Sequence, residues 1–277
     1  MRRTASVCLL SALVACGQLP VEAPATAPTL DLRASPQPQA PAWPAVDVLL
    51  LGEQHDADDH GHLQQQAIAR LIEQGRLAAL VLEMAESGHD TRGLPVDADE
   101  ATVQQRLNWS DRAWPWPRYR AAVMTAVRAG VVVWGGNLPR SAMGEAMQTP
   151  SDFKQQHRQA WQALLGAVRS GHCDLLPESQ LAPMTRIQVA KDQRMAEVAA
   201  AAAQAEQTVV LLAGAMHTNA NMGVPLHLPA HLSRWAVGML TQAPSPQETQ
   251  AFDAVWLTRA TPARDHCAEL RQRWGKS

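Results

Sequence analysis

A chain of 277 residues with 46% hydrophobic content is long enough to bury one large core. The formal charge is −2, with no block of lysine and arginine that resembles a nucleic-acid footprint. Binding to a phosphate backbone is therefore not expected, and acidic substrates gain no general steering.

Arg2 and Arg3 precede an apolar stretch, Val7 to Val14, too short to span a bilayer, and Leu13-Val14-Ala15-Cys16 overlaps its end. Residues 1–16 resemble a bacterial lipoprotein signal, with Cys16 as the acylated first residue of the mature chain. A secretory signal with a chance cysteine is the alternative. Dual or triple acylation would anchor the protein stably to a membrane, and Gly17 rather than aspartate points to the outer membrane. Residues 17–45 are rich in proline and lack apolar periodicity, the pattern of an extended tether. The globular part is expected over residues 46–277.

That part opens with Val46 to Leu51, a continuous apolar run with the composition of a strand buried on both faces of a parallel sheet. Gly52 is expected to break the run, leaving Glu53, Gln54, His55 and Asp56 where the strand's carboxyl end emerges. Open α/β sheets bind ligands at that end. Leu63, Ala67, Ile68, Leu71 and Ile72 then form the apolar stripe of a helix. Leu77 to Met84 reads as a second strand, with Glu83 near its end. Glu100 to Leu107 and Tyr119 to Arg128 read as helices, the latter introduced by Trp114-Pro115-Trp116-Pro117. Val131 to Trp134 is a third strand, closed by Gly135-Gly136-Asn137. Asp152 to Ser170 and Ile187 to Gln204 read as helices, so a small helical subdomain is expected at about 150–206. Thr208 to Ala213 is a fourth strand, followed by Gly214-Ala215-Met216-His217, with weaker strands at 235–240 and 254–258. The expected fold is α/β, a largely parallel sheet flanked by helices.

Four residues at the ends of three strands concentrate the chemistry. Side chains two apart on an extended segment point the same way, so Glu53 and His55 belong together. Glu83 and His217 end the second and fourth strands. A lone strand-end histidine usually serves a structural hydrogen bond, but four such groups suggest a site for a divalent cation or for acid–base work. They are expected to share one cleft, and His55→Ala and His217→Ala are expected to weaken binding more than folding. His60 and His62, among aspartates at a helix amino end, read as solvated. Cys8 leaves with the signal and Cys16 carries lipid; Cys173 and Cys267 remain, expected as one disulfide, with metal ligation or two buried thiols as alternatives.

Gly52-Glu53-Gln54-His55, then Glu83, then Gly214-Ala215-Met216-His217 resembles the paired G-x-x-H motifs and intervening glutamate of the ChaN, Tiki and erythromycin-esterase superfamily. The WPWP segment with Tyr119, residues 136–140, residues 188–196 and Gly223-Val224-Pro225 make the chain most similar to the ChaN-like haem-binding lipoproteins. The resemblance implies haem held in iron uptake, with a tyrosine on the iron, a histidine near the propionates and a pocket made by a dimer, beside some haem receptor or uptake system. Tyr119 is the only tyrosine, and packing of the WPWP turn is an equally good account of it. The cofactor-binding candidates are Tyr119, His217 and His55. The competing class is a Tiki-like metal-dependent hydrolase in which His55, Glu83 and His217 hold a cation and Glu53 acts as base.

Overall fold

The computed structural model describes residues 27–262 and 265–274. The signal and Cys16 lie outside the described residues. The strands are β1 (Thr29–Asp31), β2 (Val48–Glu53), β3 (Leu77–Glu86), β4 (Val133–Asn137), β5 (Thr208–Gly214), β6 (Arg234–Leu240) and β7 (Ala254–Leu257). The helices are α1 (Asp58–Glu73), α2 (Glu100–Arg106), α3 (Trp116–Arg128), α4 (Arg140–Gln148), α5 (Phe153–Gln156), α6 (Arg158–Gly171), α7 (Glu178–Ala202), α8 (Ala215–Thr218), α9 (Pro246–Thr249) and α10 (His266–Trp274). Every strand pair is parallel, in the order β1-β7-β6-β2-β5-β3-β4. All carboxyl ends therefore share one edge. The chain leaves the central β2 toward β3 and β4, returns to β5, and crosses to β6 on β2's far side. That reversal opens a crevice at the carboxyl ends of β2 and β5.

The pleat explains why these runs are apolar throughout. Leu49 and Leu51 of β2, with Val210 and Leu212 of β5, pack under α1 and α3. Val48 and Leu50, with Val209, Leu211 and Ala213, pack under Met195, Ala196 and Ala199 of α7. Successive side chains alternate between two covered faces, so neither can be polar. Each fully buried leucine or valine contributes roughly 1.5–3 kcal/mol.

Three expectations change. The first strand starts at Val48, because the Asp47 carboxylate turns aside to accept from the amide and hydroxyl of Ser233, at 2.7 and 2.6 Å. It also runs on through Gly52, which pairs with Ala213 and Gly238. A Cβ on Gly52 would lie 2.0 Å from Thr218 Oγ1, so the glycine lets α8 press onto β2 and does not break the strand. Part of the expected tether belongs to the fold. β1 extends the sheet edge beside β7, and Ala40 is buried, its amide donating to Gln66 Oε1 at 2.7 Å. Arg70 donates to the carbonyls of Ala40 and Pro41 and lies over the Trp43 ring. The prolines remove amide donors here, and one arginine takes the carbonyls they leave.

Between β4 and β5 the helical segment differs from the expectation in detail. α4 is an additional helix, α5 and α6 are split at His157, and α7 begins at Glu178 with Pro183 in its second turn. Phe153, Ala160, Trp161 and Leu164 form a third cluster with Val189 of α7, while the carboxyl half of α7 covers the sheet. α7 is thus shared between the helical layer and the main core. A Cys173–Cys267 disulfide joins the α6–α7 turn to α10.

Candidate functional site

Pleat alternation decides where each acidic residue goes. Glu53 follows Leu49 and Leu51, so its side chain enters the face covered by α1 and α3. There Oε1 accepts from the Tyr119 hydroxyl of α3 at 2.7 Å, and Oε2 accepts from Gln64 Nε2 of α1 at 2.6 Å. His55, just past the strand, turns back so that Nδ1 lies 2.7 Å from the same Oε1. Glu53 is buried, whereas the His55 side chain is 41% exposed. Trp114 sets its ring edge-on to His55, with centroids 4.7 Å apart, and Arg118 donates to the His55 carbonyl at 2.8 Å.

Glu83 follows Ala79 and Val81, so it enters the opposite face, under α7. Its Oε2 accepts from the Gly214 amide at 2.7 Å and its Oε1 lies 3.3 Å from His217 Nε2. The other ring nitrogen of His217, Nδ1, is 2.6 Å from Asp192 Oδ1 on α7. Glu83, His217 and Asp192 are all buried. Asn137 at the end of β4 ties in the backbone, donating to the Glu83 carbonyl at 2.8 Å. The two groups meet at Gly214. A Cβ there would lie 3.0 Å from His55 Nε2 and 3.6 Å from Glu83 Oε2, so only glycine lets the imidazole approach so closely.

Charge follows from this geometry. Burial opposes protonation of His217, but the Glu83 and Asp192 carboxylates more than offset it and raise its pKa to about 10. His217 is thus an imidazolium between two acids. Burial pushes Asp192 up to about 6, against the pull of His217, while Glu83 is held well below the usual carboxylate range despite its burial. His55 is also raised: its burial is outweighed by the hydrogen bond to Glu53 and the charge of Glu83. Burial and the Glu53 charge push the Tyr119 hydroxyl far above its ordinary value, so it stays protonated. His60 is not solvated as expected. It is buried, accepts from the Gln54 amide through Nδ1 at 3.0 Å, and holds Thr258 Oγ1 through Nε2 at 2.8 Å.

A pH dependence of stability follows. Burial lowers His60 and His227 to about 4 from an ordinary 6.5. Their contribution is present above 6.5 and lost as pH falls toward 4, because only the unfolded chain takes up those protons. Asp192 opposes this limb, but it is one group against two. His217 is raised, so its contribution is full below 6.5 and lost as pH rises through about 10. Thermal unfolding should therefore give the highest Tm near neutrality, falling on both sides; a Tm still climbing at about pH 10 would contradict the His217 assignment.

A family model described as "Haem-binding uptake, Tiki superfamily, ChaN" matches residues 40–228. The chain belongs to the ChaN family. Among solved structures it is similar to one described as cofacial haem binding to ChaN of Campylobacter jejuni, at 25% identity and a TM-score of 0.62, covering 76% of this chain and 87% of that one. A type III effector, HopBA1, aligns at 14% identity and a TM-score of 0.43, over 77% of this chain and 88% of its own, and contributes nothing to the functional reading. A sequence search of curated proteins finds no match.

In this ChaN-family chain the four motif residues do gather at one sheet edge, but as two pairs on opposite faces, of which only His55 reaches the surface. Tyr119 is 1% exposed and its hydroxyl is directed inward at Glu53. His217 has both ring nitrogens engaged by carboxylates. Among the described residues no group of three or more His, Cys, Asp or Glu side chains is arranged to hold a metal ion. Asp192 and Gln64 went unnoticed in the sequence. Asp192 interrupts the buried stripe of α7 that runs through Thr185, Val189, Met195, Ala196 and Ala199. An acid on such a stripe was the available signal.

Proposed function

We propose that this protein binds haem at the carboxyl edge of the sheet, beside His55, whose ring Glu53 orients. One observation carries this reading: of the three cofactor-binding candidates, only His55 has a half-exposed side chain, and Trp114 lies edge-on against it. The surroundings fit a flat apolar group with acidic edges. A recess of about 350 Å³ beside His55 is lined by Pro117 and Arg118. A second, of about 380 Å³, is lined by Trp109, Trp114 and Met143, with Lys191 and Arg140, the latter 3.9 Å from Glu86, on its wall as partners for propionates. Family membership and the similarity to the Campylobacter jejuni ChaN point to the same ligand.

Titration with ferric haem should produce a Soret band in the parent. His55→Ala should abolish the ligand-dependent shift, whereas Tyr119→Phe should still give the band. A His55→Ala variant that titrates like the parent would remove His55 from the site. A role in haem uptake, from a membrane anchor at Cys16 facing the periplasm or cell surface, completes the reading. It rests on the Leu13-Val14-Ala15-Cys16 pattern. Mass spectrometry of membrane-extracted protein should find Cys16 diacylated at the mature amino terminus; an unmodified Cys16 peptide in that fraction would refute the anchor.

A further inference from the structure

Residues 88–94, the segment that follows β3, fold back along β4 and cap the edge of the sheet. Asp90 bridges to Trp134 in the antiparallel sense, and the Thr91 amide donates to the Val133 carbonyl at 3.0 Å. Gly88 and Gly93, with φ of +96° and +77°, turn the chain at the two ends of the cap. Between it and α2 lies a cavity of about 1000 Å³, lined by His89, Arg92, Leu94, Thr102, Gln105 and Arg106 together with Asp90. This lining shares no residue with the two recesses beside His55 and Trp114. Its charges do not balance. Asp90 is the one carboxylate of the lining, and Arg92 takes both its oxygens, Oδ1 through the amide and Oδ2 through the guanidinium, each at 2.8 Å. The Arg92 guanidinium also lies 4.6 Å from the centroid of the Trp134 ring. The nearby Asp99 carboxylate is engaged at the amino end of α2, accepting from the Thr102 amide at 2.7 Å. Arg106 is therefore held by carbonyls alone, Nε donating to Asp90 at 3.3 Å and Nη2 to Arg92 at 2.6 Å. A guanidinium carries five N–H groups, so three remain after these two on a side chain whose orientation is already fixed.

We propose that this cavity is a second binding site, for a phosphate ester that carries hydroxyl groups. The N–H groups of a guanidinium pair with phosphate oxygens as a fork, and a side chain held in advance loses little entropy on binding. Arg106 takes the phosphate. The His89 imidazole, the Thr102 hydroxyl and the Gln105 amide have no side-chain partner among the described residues and meet the remaining oxygens and the hydroxyls, while Leu94 offers an apolar wall to the carbon chain. The volume lies at the upper end of small-molecule cavities. In a chain of formal charge −2, a guanidinium without a counter-ion is a local attraction for anions and not part of a general basic field. A free monoester and the diester of a lipid head group share this chemistry.

The measurement is calorimetric titration of the full-length protein, in a non-ionic detergent at low ionic strength. Glycerol 3-phosphate serves as the monoester, glycerophosphoglycerol as the diester and glycerol as the neutral control. The parent should bind an ester and not glycerol; tighter binding of the diester assigns a lipid head group, and tighter binding of the monoester a free metabolite. Arg106→Gln should weaken binding about tenfold or more, the loss of a charge-assisted hydrogen bond. Arg106→Lys, which keeps the charge without the fork, should recover only part of that loss. Arg158→Gln, at a basic residue of a different cavity, should bind like the parent. If Arg106→Gln does not fold, Gln105→Glu decides: it removes no hydrogen bond and brings a carboxylate to Arg106, so it should weaken binding in the same direction. No heat from either ester in the parent, or an unchanged affinity in the Arg106→Gln or Gln105→Glu variant, would overturn the site. Haem titration of the same proteins reads the other site, so neither result depends on the other.

Discussion

Replacing His217 by alanine should destabilise the fold by about 3–5 kcal/mol, because it leaves two buried carboxylates without their cation. Glu83 would lose the partner of Oε1, and Asp192, whose Oδ2 already has no hydrogen-bond partner, would lose its remaining one. Replacement of a buried pair by apolar groups can be neutral, but removal of one member is not. The order of effects expected from the motif alone is thus reversed for this residue: His217 matters first to folding. His55→Ala, at a half-exposed ring whose loss leaves Glu53 its bonds to Tyr119 and Gln64, should instead cost clearly less. Denaturant midpoints of the two variants settle the contrast. Equal midpoints would show that the Glu83–His217–Asp192 relay is not a structural unit.

Reduction of the Cys173–Cys267 bond should cost about 2–5 kcal/mol. The two cysteines are 94 residues apart in sequence, and the entropy removed from the unfolded chain grows with the loop that is closed. The bridge fastens α10 to the turn after α6, across almost all of α7, β5, β6 and β7. A Cys173→Ser/Cys267→Ser double variant should show the same loss as dithiothreitol treatment of the parent, and the reductant should then have no further effect on it. A denaturation midpoint unmoved by reductant would show that the bond constrains nothing in the unfolded state.

Six of the seven strands, their parallel arrangement and the edge at which Glu53, His55, Glu83 and His217 appear were legible in the chain. Apolar runs of strand length, separated by helical periodicity, admit few folds other than a doubly covered parallel sheet. Pairing of two cysteines in the globular part followed from their number. Other features were not legible because they depend on what lies across space. Whether Gly52 ends a strand or makes room for α8 is decided by Thr218. Residues 29–43 read as tether because a strap owes its order to Gln66, Arg70 and Trp256 rather than to any pattern of its own. The two carboxylates part to opposite faces because the pleat of β2 and β3 counts residues from their own buried leucines and valines, while α3 and α7 bring Tyr119 and Asp192 to meet them. Local sequence thus determined which chemical groups reach the sheet edge, and tertiary packing decided which are buried in ion pairs and that His55 stays half-exposed, since burial and pairing are properties of neighbours that no short stretch of chain contains.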